Sequence, residues 1–319
     1  MPELTGLPAK IWEFAFFPYR DDPVPQREAQ AKAWPNILSK LADLAEHEDW
    51  IGTNADGSDA TENQILHNYI SFTYFRLALE GRKVVASEDG NYATFNTGLL
   101  DSFDQEIFGF FQRNTQPGKQ PWYFLRWAIE SDRELMTFFN PTPDMADYVT
   151  AASDLVYDWR RPLILNYAHI LDDDHMKRFP LELQKRPLRA RSQLDAAVVK
   201  TLKRLRRNYK IAIPQWYPKL KEEGAQLLLP LDLYDEGTAD LALVVSLDGD
   251  RYRGSTVLTL EMAYTYARLV ARPDSEWSKP LSTVVKDQMD VGHPNAGLQR
   301  DVASTRDDRA MQIQEWRRS

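Results

Sequence analysis

Apolar residues recur along this chain at two spacings, three-to-four and short continuous runs, and the alternation between the two lays out the elements. From Ala31 to Ala45, Trp34, Leu38, Leu41 and Leu44 stand at helical spacing. A second helix is predicted over 62–80, where Ile65, Tyr69, Phe72, Leu77 and Leu79 form a broad apolar face, with Thr61 as its cap and Gly81 as its end. The polar segment TNADGSDATEN (53–63) between them reads as a loop. Two strand-like runs, KVVASED and YATFNTGL, meet at Asp89-Gly90-Asn91, a hairpin signal. Two more aromatic-rich strands, IFGFFQRN and WYFLRWAIE, flank the turn QPGKQP.

In the middle of the chain DLVYDW and LILNYAHIL read as strands, followed by an acidic turn, LDDDH. The clearest helix runs from Leu194 to Tyr209, with Leu194, Val198, Leu202, Leu205 and Tyr209 on one stripe. Beyond Pro214 the pattern returns to strands, AQLLLPLDL, ADLALVVSL and YRGSTVLTL, the last two joined at Asp248-Gly249-Asp250. A final helix is predicted over 260–271. Residues 7–20 read as an N-terminal strand or extended arm. Short strands on tight turns, with helices grouped between them, predict an α+β fold of mainly antiparallel sheets. The order helix-then-hairpin occurs twice, which raises two similar halves. The segments are expected to divide as 1–185, an N-terminal α+β half; 186–280, a basic helix with antiparallel strands and the final helix; and 281–319, a polar and flexible tail.

Charge changes this picture in one place. The 26 residues from Lys185 to Lys210 hold ten Lys/Arg and a single acid, Asp195, a local charge of +9 on a chain of −8, which leaves −17 for the rest. A cationic ridge on an anionic body suits a polyanion held by phosphate pairing and counterion release. The run lacks the interleaved acids that solvated helix faces use for i,i+4 pairing, and it flows into RRNYKIAIPQWY. There Lys203, Arg206, Arg207, Asn208 and Lys210 stand near Tyr209, Trp216 and Tyr217, cations for phosphates beside aromatic faces for unpaired bases. Single-stranded RNA or a nucleotide is the expected partner; a solvated helix face is the alternative. An apolar content of 43% is enough for a packed core, and the absence of cysteine excludes disulfides, zinc–thiolate sites and cysteine nucleophiles. The N-terminal MPELTGLPAKIWEFAFFPYRDD lacks the pattern of a signal peptide, and no apolar run is long enough for a membrane span, so a cytoplasmic protein without membrane partners is expected.

Three further groups carry candidate chemistry. Asn96, Thr97 and Gly98 in FNTGL, with Lys119 in the QPGKQP turn, offer amide, hydroxyl, backbone and cation for a phosphate or ribose, or else simply make turns. NYAHILDDDH gathers His169, Asp172, Asp173, Asp174 and His175, ligand types that suit Mg²⁺ or Mn²⁺, at a spacing an exposed acidic turn also produces. YRGSTVLTLEMAYTYARL places Tyr252, Arg253, Glu261, Tyr264 and Arg268 around a strand–helix junction, either bracketing a ligand or forming a structural Glu–Arg network. A metal-dependent phosphodiesterase or nucleotide hydrolase would draw on His169, Asp172 and Glu261 as catalytic groups and Asp172 and Asp173 as metal ligands. An RNA- or nucleotide-binding protein would draw on Asn96, Thr97, Lys119, the 203–210 cations, Trp216, Arg253 and Arg268. An interaction scaffold with an acidic protein partner is the third alternative.

FNTGL, GKQPW, RRNYKIAIPQWY, QLLLPLDL, ADLALVV, YRGSTVLTLEMAYTYARL and ARPDSEW occur in this order over residues 7–277. Together they resemble an uncharacterised, mainly bacterial domain of unknown function that some members join to cold-shock or LOTUS-type helix-turn-helix RNA-binding modules. That resemblance implies a role in RNA metabolism or an RNA-linked stress or defence system, and it brings no established catalytic residue. This chain departs from the family's habit at Glu261, where an Asp is common, and at Tyr266, where Asn or a small residue is common.

Overall fold

Each tight turn read from the sequence closes a hairpin, and each hairpin belongs to one of two sheets built to the same plan. The computed structural model of the chain describes residues 1–20, 25–53, 60–116, 119–218 and 226–273. The 54–59 stretch of the polar loop and the predicted tail lie outside these residues. In chain order the first half consists of α1 (Ile11–Phe14), β1 (Ala15–Phe16), α2 (Gln26–Leu44), β2 (Gly52–Thr53), β3 (Ala60–Thr61), α3 (Gln64–Glu80), β4 (Val85–Ala86), β5 (Tyr92–Leu100), β6 (Glu106–Arg113), β7 (Trp122–Ile129) and α4 (Arg133–Phe138). The second half consists of β8 (Leu163–Leu165), α5 (Tyr167–Ile170), α6 (Asp173–Met176), α7 (Leu181–Gln184), α8 (Pro187–Leu205), β9 (Ile213–Gln215), β10 (Gln226–Leu231), β11 (Leu241–Asp248), β12 (Arg251–Leu258) and α9 (Leu260–Val270).

The two larger sheets have matching topologies. One runs β1-β7-β6-β5-β4 and the other β8-β12-β11-β10-β9. In each, four strands form an antiparallel meander, and a short strand from before the long helix returns to pair in parallel with the meander's last strand, β1 with β7 and β8 with β12. The protein is therefore α+β with mainly antiparallel sheets and two similar halves.

Both faces of each sheet are covered, which explains why the strands read as near-continuous apolar runs rather than clean alternations. In the first half α3 brings Ile65, Leu66, Tyr69, Ile70, Tyr74 and Leu77 onto Phe95, Ile107 and Phe111. The opposite face packs Phe108, Phe110 and Ala128 on Leu135 and Phe139 at α4. In the second half α8 sets Ala190, Leu194, Ala197, Val198 and Leu205 over Leu227, Leu229, Leu231, Leu243 and Val257. Leu228, Ala242, Val244 and Leu258 turn the other way onto Ala263 and Ala267 of α9. Each fully buried leucine contributes on the order of 1.5–3 kcal/mol relative to exposure. The α9 helix also reaches the first half: Tyr264 and Leu269 belong to the same cluster as α3.

Local chemistry accounts for the boundaries. Gly81 ends α3 in the left-handed conformation (φ +67°), as a C-terminal glycine does. Thr259 caps α9 by accepting from the Met262 N–H. The basic helix begins at Pro187, a residue suited to the first helical position, and stops at Leu205; Tyr209 falls in a separate turn of 3₁₀ helix. Other expectations change too: Thr61 stands in β3 rather than capping α3, whose N-cap position is held by Asn63 without a side-chain hydrogen bond. The segment DLVYDW (154–159) is not a strand: its first two residues end a 3₁₀ turn over Ala152–Leu155 and the rest is irregular, and LILNYAHIL divides into the three-residue β8 and the helix α5. The N-terminal arm holds the short helix α1 ahead of β1. Among the described residues no helix is long and apolar enough to cross a membrane.

Candidate functional site

The ridge is built by the division of α8 into an inward apolar stripe and an outward basic side. Of its ten cations, Lys200 alone is paired, its ammonium donating to Asp232 at 2.7 Å and also to Asp235. Lys185, Arg186, Arg189, Arg191, Lys203, Arg204, Arg206, Arg207 and Lys210 are exposed, and none has a carboxylate partner among the described residues. The stretch's one acid, Asp195, accepts from the Tyr167 hydroxyl, so it neutralises no neighbouring cation directly. Asn208 accepts from the Lys210 N–H and shapes the exit from the helix.

The aromatic partner of the ridge is not the one its sequence neighbours suggested. Trp216 is half-buried, its ring 5.4 Å from Tyr148 and 6.2 Å from Phe75, with Arg76 above it. Trp159 takes the surface position instead. It is 40% exposed, and the guanidinium groups of Arg160 and Arg206 lie 4.8 and 5.0 Å from its ring. Tyr209 is exposed nearby in sequence. Trp159 lies in the 3₁₀-containing connection before β8, 47 residues upstream of Arg206, and only the fold brings the two together.

The other predicted residues are dispersed. Asn96 and Thr97 have 0% exposure and form a bulge in β5, where the pairing with β6 shifts register. The Asn96 side-chain Oδ1 accepts from the Gly98 N–H at 2.8 Å, and the Thr97 hydroxyl donates to the Ile107 carbonyl at 2.6 Å. Gly98 sits at φ +74°, and an added Cβ would stand 2.8 Å from the Tyr69 hydroxyl oxygen. Lys119 is exposed in the β6–β7 connection, and Arg253 is exposed on β12. Glu261 lies in the first turn of α9, its carboxylate beside Gly52 of β2.

Arg268 belongs to a buried Glu–Arg network whose acid, Glu48, lies 220 positions earlier in the chain and was not among the residues singled out from the sequence. Its guanidinium Nε donates to both oxygens of Glu48 at 2.9 Å, and the two side chains are only 12% and 4% exposed. The Tyr264 hydroxyl donates to the same carboxylate at 2.6 Å. Burial, and then the negative charge of Glu48, push the Tyr264 phenol well above its ordinary value. Arg268 also covers the rings of Tyr69 and Trp50 at 4.9 and 5.6 Å. Glu48, Arg268, Trp50 and Tyr69 line a pocket of about 230 Å³ together with Gly98, Leu99 and Met145. A larger cleft of about 340 Å³ lies over Ile37, Leu44, Phe124 and Trp127. On its rim Arg20 donates to backbone carbonyls and Arg126 pairs with Asp132 and Glu134.

The acidic turn keeps two of its histidines and one of its acids together. Asp172 caps α6, accepting from the N–H groups of Asp174 and His175. Its carboxylate also meets His175 Nδ1 at 2.7 Å and His169 Nδ1 at 3.2 Å. The backbone N–H of His175, then its imidazole, hold the Asp172 carboxyl at about 2. Asp173 is exposed and stands outside this group, as does Glu261; among the described residues His169, Asp172 and His175 are the one set of ligand types gathered closely enough to share an ion. Arg178, half-buried one turn further on, donates to Thr256 Oγ1 (3.0 Å) and the Val257 carbonyl (2.7 Å) and has no carboxylate partner among the described residues. Burial lowers its pKa from the ordinary arginine value.

Fold and surface together define a class: an α+β protein of two like sheet halves that displays an unneutralised cationic helix from the second. The chain belongs to the family DUF3825, a domain of unknown function, which matches residues 41–277. No curated protein and no solved structure matches it.

Proposed function

We propose that the protein binds single-stranded RNA along the α8 ridge. The carrying observation is the group of nine exposed cations without carboxylate partners among the described residues, set beside a surface tryptophan flanked by two arginines. In this reading Lys203, Arg206, Arg207 and Lys210 meet phosphates, and Trp159 offers its face to an unpaired base. Asn96, Thr97 and Arg268 take no direct part, because their polar groups are buried and engaged within the protein. The resemblance to a domain that some members join to cold-shock and LOTUS-type modules supports the same partner and a role in RNA metabolism or an RNA-linked stress response.

Fluorescence anisotropy with a labelled, unstructured RNA oligonucleotide tests this. The logarithm of affinity is expected to fall with the logarithm of salt concentration by about 0.7 per phosphate engaged. The triple reversal Lys203→Glu, Arg207→Glu, Lys210→Glu then flattens the slope by roughly 2, through loss of three such contacts. Trp159→Ala weakens binding by about 1–3 kcal/mol at any one salt concentration, the worth of one stacked base. Absence of binding at low salt, or binding indifferent to the triple reversal, overturns the proposal. Co-purification of the full chain with an acidic protein and no nucleic acid would favour the scaffold reading instead.

A further inference from the structure

The geometry points to a binding site for one divalent transition-metal ion formed by His169, Asp172 and His175. The candidate ligand atoms of all three lie within 4.8 Å of one another, and the two imidazole rings stand 4.2 Å apart at 63°. One ion at metal–ligand distances of about 2.0–2.2 Å can touch atoms separated by up to about twice that length. The present arrangement is therefore within small side-chain adjustments of coordination.

The chain builds this set on a firm frame. His169 lies in the last turn of α5, Asp172 caps α6, and His175 follows one turn later. Ile170 and Met176, both buried, anchor the two short helices in the core of the second half. The N-cap hydrogen bonds fix the Asp172 carboxylate before any ion arrives, and both imidazoles bring their Nδ1 atoms to within 3.2 Å of it. Two imidazoles and one carboxylate form a borderline donor set, suited to Zn²⁺, Co²⁺, Mn²⁺ or Fe²⁺ and poor for Mg²⁺ or Ca²⁺, which favour an all-oxygen shell. Three protein ligands leave positions for water or an anion, as reactive sites do and closed structural sites do not. His169 is half-exposed, so the set is open to solvent. The inference is independent of RNA binding by the ridge.

Metal-stripped full-length protein titrated calorimetrically with Zn²⁺, and with Co²⁺ read by its visible absorption, provides the test. One equivalent is expected to bind. His169→Gln alters a half-exposed side chain, and Asp172→Asn preserves a capping residue while removing the charge. Each is expected to weaken uptake by roughly a hundredfold, the upper end of what even an outer hydrogen-bonding partner costs, with the urea midpoint of the apoprotein unchanged for His169→Gln. The Co²⁺ spectrum of wild type should show nitrogen ligation, and His175→Gln should alter it. No stoichiometric uptake, or uptake unaffected by His169→Gln and Asp172→Asn, overturns the site.

Discussion

Arg268→Met breaks one of the two most deeply buried ion pairs among the described residues. It removes the guanidinium from Glu48, a carboxylate 4% exposed, and thus leaves a buried charge without its main partner. Breaking a buried pair from one side typically costs about 3–5 kcal/mol. Here the lower end applies, because the Tyr264 hydroxyl still donates at 2.6 Å and Arg272 Nε stands 3.9 Å away. About 3 kcal/mol is expected. Glu48→Gln retains an acceptor for Tyr264 but leaves the Arg268 guanidinium against Tyr69 and Trp50, whose ring faces return only about 0.5–2 kcal/mol. A loss of about 2–3 kcal/mol follows. The double variant removes both uncompensated charges, so its cost should fall short of the sum by about 2 kcal/mol. Urea unfolding of the four proteins at one pH and a shared m-value measures this coupling. Strict additivity, or an Arg268→Met variant within about 0.5 kcal/mol of wild type, would refute the assignment of this pair as the tie between residues 46–50 and α9.

Two other outcomes are expected. Gly98→Ala places a side chain at φ +74° and against the Tyr69 hydroxyl, so it should lower stability by about 1–3 kcal/mol in chemical denaturation, whereas Gly90→Ala, with open space around it, should cost only its backbone strain. The hydrogen bond from the buried Lys83 ammonium holds the Asp147 carboxyl below its ordinary 3.8. Its contribution is therefore complete above that value and lost as pH falls through the lower folded-state value; an NMR titration should show the Asp147 transition below 3.8 in wild type and moved upward in Lys83→Met.

How far the sequence discloses this molecule depends on the sequence distance over which each feature is made. The turns at Asp89-Gly90-Asn91 and Asp248-Gly249-Asp250 are local, and both hairpins form where the residues predict them. The helices α3 and α9 carry their own periodicity, and Gly81 marks the end of α3, although Thr61 does not cap its start. The parallel strands β1 and β8 are different: two or three residues long, each pairs with a strand about 90–110 positions away, and a run of that length has no readable period. The same limit hid the Glu48–Arg268 pair, separated by 220 positions. It also misdirected the choice of aromatic. Trp216 follows the ridge directly, but β9 intervenes and turns it inward onto Tyr148 and Phe75; the tryptophan beside Arg206 comes from the other side of α8 in the chain. By contrast, His169, Asp172 and His175 stand at intervals of three within one short segment, and their grouping is visible in the sequence once adjacent helical turns are assigned.

The duplicated plan also explains why the chemistry gathers in the second half. The long helices α3 and α8 occupy equivalent places, each following a parallel edge strand and packing on the meander behind it. Yet α3 is covered twice, by its own sheet and by α9, with Phe72 against Tyr266 and Phe75 against Trp216. A helix enclosed on both sides must be apolar around most of its circumference, and a run of cations there would bear a heavy desolvation cost. The outer side of α8 has no such cover among the described residues, so its lysines and arginines, apart from the paired Lys200, stand exposed on it. Covering one helix of an equivalent pair and leaving the other bare is enough to turn a repeated scaffold into a structural half and a half with a charged surface, without any difference in strand order.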